Sequence, residues 1–445
     1  MTDAQPEQSA PSALRFGRWL GGIVMVAFAL RVAYTVGQTA PHDRSLYDSI
    51  YYLVQSQAVV AGEGFVRPFT ALANADHPPL TTLVITPATW LFGVTSDTMA
   101  QRLTMSIVGT GAVAAIGFLG RAVRGPRAGL VAAGIAAVYP NLFMNDGIVM
   151  GESLAALTVA LAMWATYRLR TTGSIRAAVA LGLCCGFAAL ARAELILLAP
   201  ALTIPMLLGA NRAVWREWVR PVLAVGAVAA LVVSPWVIRN LVIFEEPALL
   251  STGDGLVLLG ANCDEVYAGP RIGTWSVGCT GMAPRDADAA VLSGRQRDKA
   301  RDYIGDHLGR VPAVVAARVG RVWGVFRPVQ TVQFSELEGR PHAAAMAGLV
   351  MYWILAGLAV GGIVILRRGR AIVWPLLVPA ALVTLITAFA YGTLRFRVPA
   401  EVSIVVLAAV ALDALWQRRT RAAGLESPGS QPDDQSSAIV ASSSS

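Results

Sequence analysis

The chain has 445 residues, of which 55% are hydrophobic and only 14% charged. A soluble globular protein carries roughly 25% charged residues, so there is too little charge here to coat a water-facing surface, and lipid is the implied solvent. The composition also excludes a disordered chain, a collagen and a disulfide-rich secreted scaffold. The net charge of +8 does not point to nucleic acid. Lys299 is the one lysine, and the arginines stand in short groups between apolar runs, such as Arg121, Arg124, Arg127 and Arg367, Arg368, Arg370. Cytoplasmic loops of membrane proteins are built this way.

A spanning helix needs about 20 apolar residues. The first reads from about 16 to 36, behind Arg15 and Arg18; it is too long for a cleaved signal peptide, and Arg31 interrupts it. Later spans read near 98–120, 128–143, 152–168, 175–191, 193–209, 221–238, 343–366, 372–391 and 400–416, ten in all. The segment 78–93 is short and is broken by Pro78, Pro79 and Pro87. If it does not cross, the arginine-bearing loops at 121–127, 169–176, 211–220, 367–370 and 417–421 all lie on the side of the N-terminus. If it crosses, every one of them falls outside, against the positive-inside rule. The segment is therefore read as interfacial or re-entrant, with both termini cytoplasmic, in a multi-pass protein of the plasma membrane.

This parity predicts an all-α polytopic protein with a cytoplasmic tail at 1–15 and a membrane module at 16–238 that carries a first outer loop at 38–97. An extracytoplasmic loop domain at 239–342, C-terminal transmembrane helices at 343–416 and a disordered cytoplasmic tail at 417–445 follow. In the large outer loop, turn signals at Ser251–Gly255 and Gly269–Gly273 precede a polar helical pattern near 293–320. Cys184 and Cys185 sit inside a span, whereas Cys263 and Cys279 fall in the outer loop, an oxidising location. A disulfide there closes a loop of about 15 residues, worth roughly 3 kcal/mol; two free thiols are the alternative.

Polar chemistry concentrates in the predicted outer loops. Asp48, Tyr51, Tyr52 and Gln55 follow helical spacing on one face, with Asp43 five residues earlier. That face brings a carboxylate and two phenols to the membrane surface, and it also suits an interfacial helix with aromatic anchors. Glu152 opens a span just after Asn145 and Asp146, where capping by an acid competes with a functional role. Arg192 and Glu194 suit a salt bridge. Arg239 and Asn240 follow the exit Ser234-Pro235-Trp236. Arg395 and Arg397, in a short outer turn, break the positive-inside pattern and need an anionic partner, of which a lipid phosphate is the obvious one. His77 precedes Pro78 and Pro79 at the outer edge. P-loop, HExxH, GxSxG and nucleotide fingerprints do not occur. An outward site has no nucleotide sugar at hand, so the donor of any group transfer arrives on a lipid.

The run Asp48-x-x-Tyr51-Tyr52, Gly62-x-Gly64-Phe65 and His77-Pro78-Pro79-Leu80 resembles the first outer loop of GT-C-fold glycosyltransferases. The nearest groups are the protein O-mannosyltransferases and the lipid A aminoarabinose transferases, and the chain resembles actinobacterial-type members. Asn145-Asp146, Met150-Gly151-Glu152-Ser153, Ala191-Arg192-Ala193-Glu194, Pro235-Trp236-x-x-Arg239-Asn240, Ser251-Thr252-Gly253 and Arg395-Phe396-Arg397-Val398-Pro399 agree in order, so the resemblance runs from about 16 to 416. It implies transfer of a mannose- or arabinose-type sugar from a polyprenyl-phosphate donor to a glycan, lipid or protein hydroxyl outside the cytoplasm, with inversion. Asp48 is then the general base, and Asp146 or Glu152 matches the second-loop acid. His77 stands where the aminoarabinose transferases hold the phosphate with a lysine, and Arg395, Arg397 and Arg239 supply further positive charge. Tyr51, Tyr52 and Asp43 are the associated substrate-binding candidates. No cofactor is required by the motif, although Asp43 near Asp48 leaves a divalent metal open. Ser49 and Tyr51 depart from the acid and arginine of the aminoarabinose transferases, and the Asp-Glu pair of the mannosyltransferases is missing, so substrate identity does not carry over. A transporter or flippase of envelope lipid intermediates is the alternative class; its repeated halves and mid-membrane acids are not seen.

Overall fold

The computed structural model describes residues 10–38, 48–67, 70, 72–95, 98–208, 215–281 and 287–422. Apart from a single antiparallel bridge between Val66 and Ala73, the described residues form helices, turns and loops. In chain order the helices are α1 (Ala10–Gly37), α2 (Asp48–Val60), α3 (Leu80–Phe92), α4 (Met99–Arg124), α5 (Pro126–Val138), α6 (Pro140–Phe143), α7 (Glu152–Thr172), α8 (Ile175–Ala191) and α9 (Leu198–Leu208). There follow α10 (Trp215–Ile243), α11 (Asp254–Ala261), α12 (Asp264–Tyr267), α13 (Ala289–Asp306), α14 (Val311–Val322), α15 (Pro328–Leu337), α16 (His342–Arg368), α17 (Trp374–Phe389) and α18 (Val398–Ala422). The bodies of α1, α4, α10, α16 and α18 are long and apolar enough to cross a membrane, and α3, α5, α8, α17 and the 193–208 segment are shorter apolar helices. The protein is an all-α, multi-pass membrane protein.

A helix that is apolar all round belongs in the middle of such a bundle, and α18 is that helix. Val402, Val405, Val406, Ala408, Ala409 and Val410 are all fully buried, in contact with α5, α7, α16 and α17. In contrast, α10 turns Leu223, Leu231 and Val242 outward, as a lipid-facing helix does. Prolines set several boundaries. The span read at 128–143 stops at Val138, because Tyr139 precedes Pro140 and takes an extended conformation. The span read at 193–209 opens with a 3₁₀ turn at Ala193–Leu197 before α9. The polar pattern near 293–320 resolves into α13 and α14, the latter restarting at Pro312. The helix α18 continues to Ala422, into the stretch read as a disordered tail.

The end of α1 meets the start of α4. Arg102 donates to the carbonyls of Thr35 (2.8 Å) and Gln38 (3.1 Å), and the hydroxyls of Thr35 and Ser106 are 2.9 Å apart. The intervening chain therefore leaves and returns at the same end of the bundle. Within it, α3 has 13 residues, about 20 Å of helix, too short for a hydrocarbon core of roughly 30 Å. It lies against α2, α4 and α8 at that end. The opposite end carries Arg121, Arg124, Arg127, Arg176, Arg367, Arg368 and Arg419. In the 239–342 region, Cys263 and Cys279 are joined in a disulfide with their Cα atoms 6.1 Å apart, within the usual range. Cys184 and Cys185 are free.

Candidate active site

The site is assembled at the end of the bundle away from the arginine-rich loops, from segments hundreds of residues apart. Asp48 is the first residue of α2. One of its oxygens lies 3.5 Å from His77 Nε2, and the other accepts a hydrogen bond from Arg395 Nη1 at 2.5 Å. Burial alone would raise the Asp48 carboxyl, but Arg395 and then His77 outweigh it and hold the group ionised, far below the usual carboxylate range. Tyr51 and Tyr52, both buried, set their rings 4.8 and 5.2 Å from the His77 ring and fix its plane. Burial pushes the Tyr52 phenol up, with Asp48 and Glu152 adding to the effect.

His77 is held by a second segment. Asp76 Oδ1 accepts from the Thr252 hydroxyl at 3.0 Å, and its carbonyl accepts from the Ser251 hydroxyl at 2.6 Å. Thr252 N–H donates to the Ala75 carbonyl at 2.8 Å. Gly253 is needed for this approach, since a Cβ there would stand 2.6 Å from the Asp76 carbonyl oxygen. Ser251-Thr252-Gly253 thus acts as a clamp on the His77 loop. Gln55 Nε2 donates to the Val66 carbonyl, and Arg239 donates to the carbonyls of Phe65 (2.8 Å) and Asn74 (3.1 Å). The Arg239 guanidinium is also packed against Trp236, Phe65 and Phe244. These contacts are with the loop that carries His77, and none of them is with Asp48.

Arg395 lies in a 3₁₀ turn, Leu394–Arg397. It donates to the Tyr391 hydroxyl at 2.8 Å as well as to Asp48, and its Nε is 3.4 Å from Glu338. Residues two apart in a 3₁₀ turn point about 120° away from each other, so Arg397 diverges. It is fully buried, pairs with Glu401 at 2.6 Å, donates to the Val322 carbonyl at 2.9 Å and lies over the Tyr352 ring. Glu401 is completed by Tyr139 (2.6 Å) and Asn141 (3.1 Å). Arg397 therefore forms a core ion pair, and of the two arginines only Arg395 touches Asp48.

The two second-loop acids also part company. Glu152, at the start of α7, accepts from Arg192 at 3.1 Å, and Arg192 also bonds Glu194 at 2.7 Å. Phe396 lies beneath both Arg192 (5.1 Å) and Arg395 (5.5 Å), which joins this triad to the Asp48 cluster. Asp146 is instead buried against Arg31 (2.8 Å) and Ser153 (2.5 Å), facing Gly109 of α4, where any Cβ would collide with both carboxylate oxygens. It is a strut between α1, α4 and α7, and its contacts include neither Asp48 nor Arg395. Asp43 lies outside the described residues. Among the described residues no group of three or more His, Cys, Asp or Glu is arranged to hold a metal.

Three members of the site escaped sequence reasoning: Tyr391, Glu338 and Arg340. The buried Arg340 bonds Glu338 and donates twice to Asn145 Oδ1, at 3.2 and 3.0 Å. A charged Glu338-Gly339-Arg340-Pro341 set immediately before an apolar span was the available signal.

A family model described as dolichyl-phosphate-mannose-protein mannosyltransferase matches residues 76–238, which include His77, Glu152 and Arg192. The crystal structure of the apo oligosaccharyltransferase of Archaeoglobus fulgidus superposes with a TM-score of 0.56 at 15% identity, covering 92% of this chain and 52% of that one. The complex of the same archaeal enzyme, AglB, with an inhibitory peptide and a dolichol-phosphate gives 0.54 at 15% identity over 93% and 52%. The chain has the GT-C glycosyltransferase fold. It spans about half the length of the archaeal GT-C protein. Apo ArnT from Cupriavidus metallidurans, with a TM-score of 0.40 at 13% identity, covers 90% of this chain and 78% of its own. No curated protein sequence matches the chain significantly.

Proposed function

We propose that this protein is an integral membrane glycosyltransferase that moves a mannose- or arabinose-type sugar from a polyprenyl-phosphate donor to a hydroxyl on a glycan, lipid or protein acceptor. The observation that carries the reading is the convergence of Asp48, His77 and Arg395, from three separate segments, at one end of a GT-C bundle. The family match to mannosyltransferases and the dolichol-phosphate bound by the archaeal neighbour support a lipid-phosphate donor. The arginine-rich loops at the other end support a site that faces outside the cytoplasm of the plasma membrane.

In this reading the acceptor oxygen attacks the anomeric carbon, the bond from that carbon to the phosphate oxygen breaks, and the configuration inverts. The lipid phosphate leaves with the bonding electrons, and the acceptor proton passes to Asp48. Arg395 and His77 stabilise the negative charge that develops on the leaving phosphate. Arg395 also contacts Asp48, Tyr391 and Glu338. Phosphate must compete with these groups for the guanidinium, and as it draws Arg395 away Asp48 becomes a better base. Donor binding thereby prepares the base for the acceptor. No metal takes part in this scheme, and Asp43 is the residue through which a divalent cation would join Asp48.

The test is transfer by the purified protein in liposomes. Label from polyprenyl-phosphate mannose or polyprenyl-phosphate arabinose should appear in envelope acceptors added from a strain lacking the gene. Failure with both donors across the acceptor fractions rejects the reading.

A further inference from the structure

The disulfide-closed loop from Cys263 to Cys279 carries one half-buried aromatic residue, Trp275, and the surrounding structure is organised to aim it at the site. Its ring centroid is 6.4 Å from that of Tyr391, whose hydroxyl accepts from Arg395, which in turn holds Asp48. Trp275 is thus two side chains away from the reacting carboxylate. The indole is fixed by its own N–H, which donates to the Leu256 carbonyl at 3.3 Å. It lies over Gly260 of α11, where any Cβ would collide with the indole nitrogen.

The loop itself is stitched down from both sides. Gly392 N–H donates to the Gly273 carbonyl at 2.8 Å, which links it directly to the turn that bears Tyr391 and Arg395. Arg321 donates to the carbonyls of Ile272 (2.7 Å) and Pro270 (2.9 Å), and Arg318 donates to Asn262 Oδ1 at 3.0 Å. The loop lies outside the main apolar core, and its Val266, Tyr267 and Ile272 pack in a separate cluster with Val314 of α14, which leaves Trp275 out. What the scaffolding secures is the position of one aromatic face beside Tyr391, next to the arginine that would grip a phosphate.

We propose that Trp275, with Tyr391, is the platform on which the donor's sugar ring stacks once its phosphate is held by Arg395. The C–H face of a sugar ring is weakly positive and packs on the electron-rich face of an indole or phenol. The ring hydroxyls then project toward Asp48 and Glu338 as hydrogen-bond donors. The ligand class is a pyranose or furanose attached through its anomeric oxygen to a lipid phosphate. This rests on the glycosyltransferase reading above.

The experiment compares two soluble-length lipids, farnesyl phosphate and farnesyl phosphate bearing mannose or arabinose, binding to the full-length protein in nanodiscs. The wild type should bind the sugar-bearing lipid more tightly. Trp275→Ala should weaken that lipid about three- to tenfold and leave bare farnesyl phosphate unchanged, while Trp275→Phe should keep most of the affinity. Equal weakening of both lipids would make Trp275 a structural support, and no change in either would make it a membrane anchor; each result overturns the platform. If the wild type binds neither lipid, the donor reading falls and the platform with it. If the wild type binds and transfers sugar while Trp275→Ala matches it throughout, only the platform falls.

Discussion

Arg395 and Arg397 look alike in sequence, and substituting each with glutamine should have opposite consequences. Arg397→Gln removes a fully buried cation from Glu401, the Val322 carbonyl and the Tyr352 ring, and leaves the Glu401 carboxylate buried with only Tyr139 and Asn141. Breaking a buried pair from one side costs about 3–5 kcal/mol, a large share of the stability of a domain. The protein should melt at lower temperature in detergent or fail to accumulate. Arg395→Gln leaves Asp48, whose side chain is 25% exposed, able to recover some water, so the stability cost should be smaller than that of Arg397→Gln. Its effect falls on transfer: loss of one preorganised donor to a developing anion lowers kcat about 10²- to 10³-fold, or about 2.7–4 kcal/mol. Thermal unfolding and single-turnover transfer from a polyprenyl-phosphate sugar, measured side by side, decide the matter. An Arg397→Gln protein that folds normally but loses catalysis, or an Arg395→Gln protein that unfolds while its remaining folded fraction turns over normally, would refute the assignment of these two side chains.

Three further outcomes are expected. Arg395 is the strongest influence holding Asp48 ionised, so the folded carboxyl titrates below its unfolded value near 4. Its contribution to stability is therefore complete above that value and is lost only as the pH falls below it. In the Arg395→Gln protein the Asp48 carboxyl rises, so the acid limb of kcat/KM should move to higher pH than in the wild type; superimposable profiles would contradict the pairing. Gly109→Ala should force Asp146 away from Arg31 and cost about 3 kcal/mol or more, read as a lowered melting temperature. A paired Cys263→Ser, Cys279→Ser variant should open the 263–279 loop to limited proteolysis, with a loss of about 3 kcal/mol of local stability. It should also reduce transfer more than it lowers the global melting temperature, because the Gly392–Gly273 link reaches the Arg395 turn.

Much of the fold could be read from the chain because lipid imposes simple rules. Apolar runs and prolines place the helices, and arginine clusters give the two ends of the bundle their different character. The convergence of Asp48, His77 and Arg395 was legible for the same reason: once parity is set, all three must lie at one end. What sequence could not resolve was the direction of each side chain at that end. Nothing in Arg395-Phe396-Arg397 says which arginine turns inward, since that depends on the rotation of a single 3₁₀ turn. Arg239 reads as a phosphate-binding cation, and the sequence does not show that three aromatic rings and two carbonyls surround it. Asp146 and Glu152 are six residues apart, and only the packing of Gly109 and Arg192 against them separates strut from site. Arg340 was missed because its partner Asn145 lies far away in the chain, and Glu338 and Tyr391 because they reach Asp48 only through Arg395.

Substituting Asp48 with asparagine keeps the size of the side chain while removing its charge and its capacity to take a proton. With the purified Asp48→Asn protein, a radiolabelled polyprenyl-phosphate sugar should still bind, because the phosphate contacts of Arg395 and His77 remain. Transfer to an acceptor hydroxyl should fall by about 10²- to 10⁴-fold. Undiminished transfer by this variant would contradict the account at its centre.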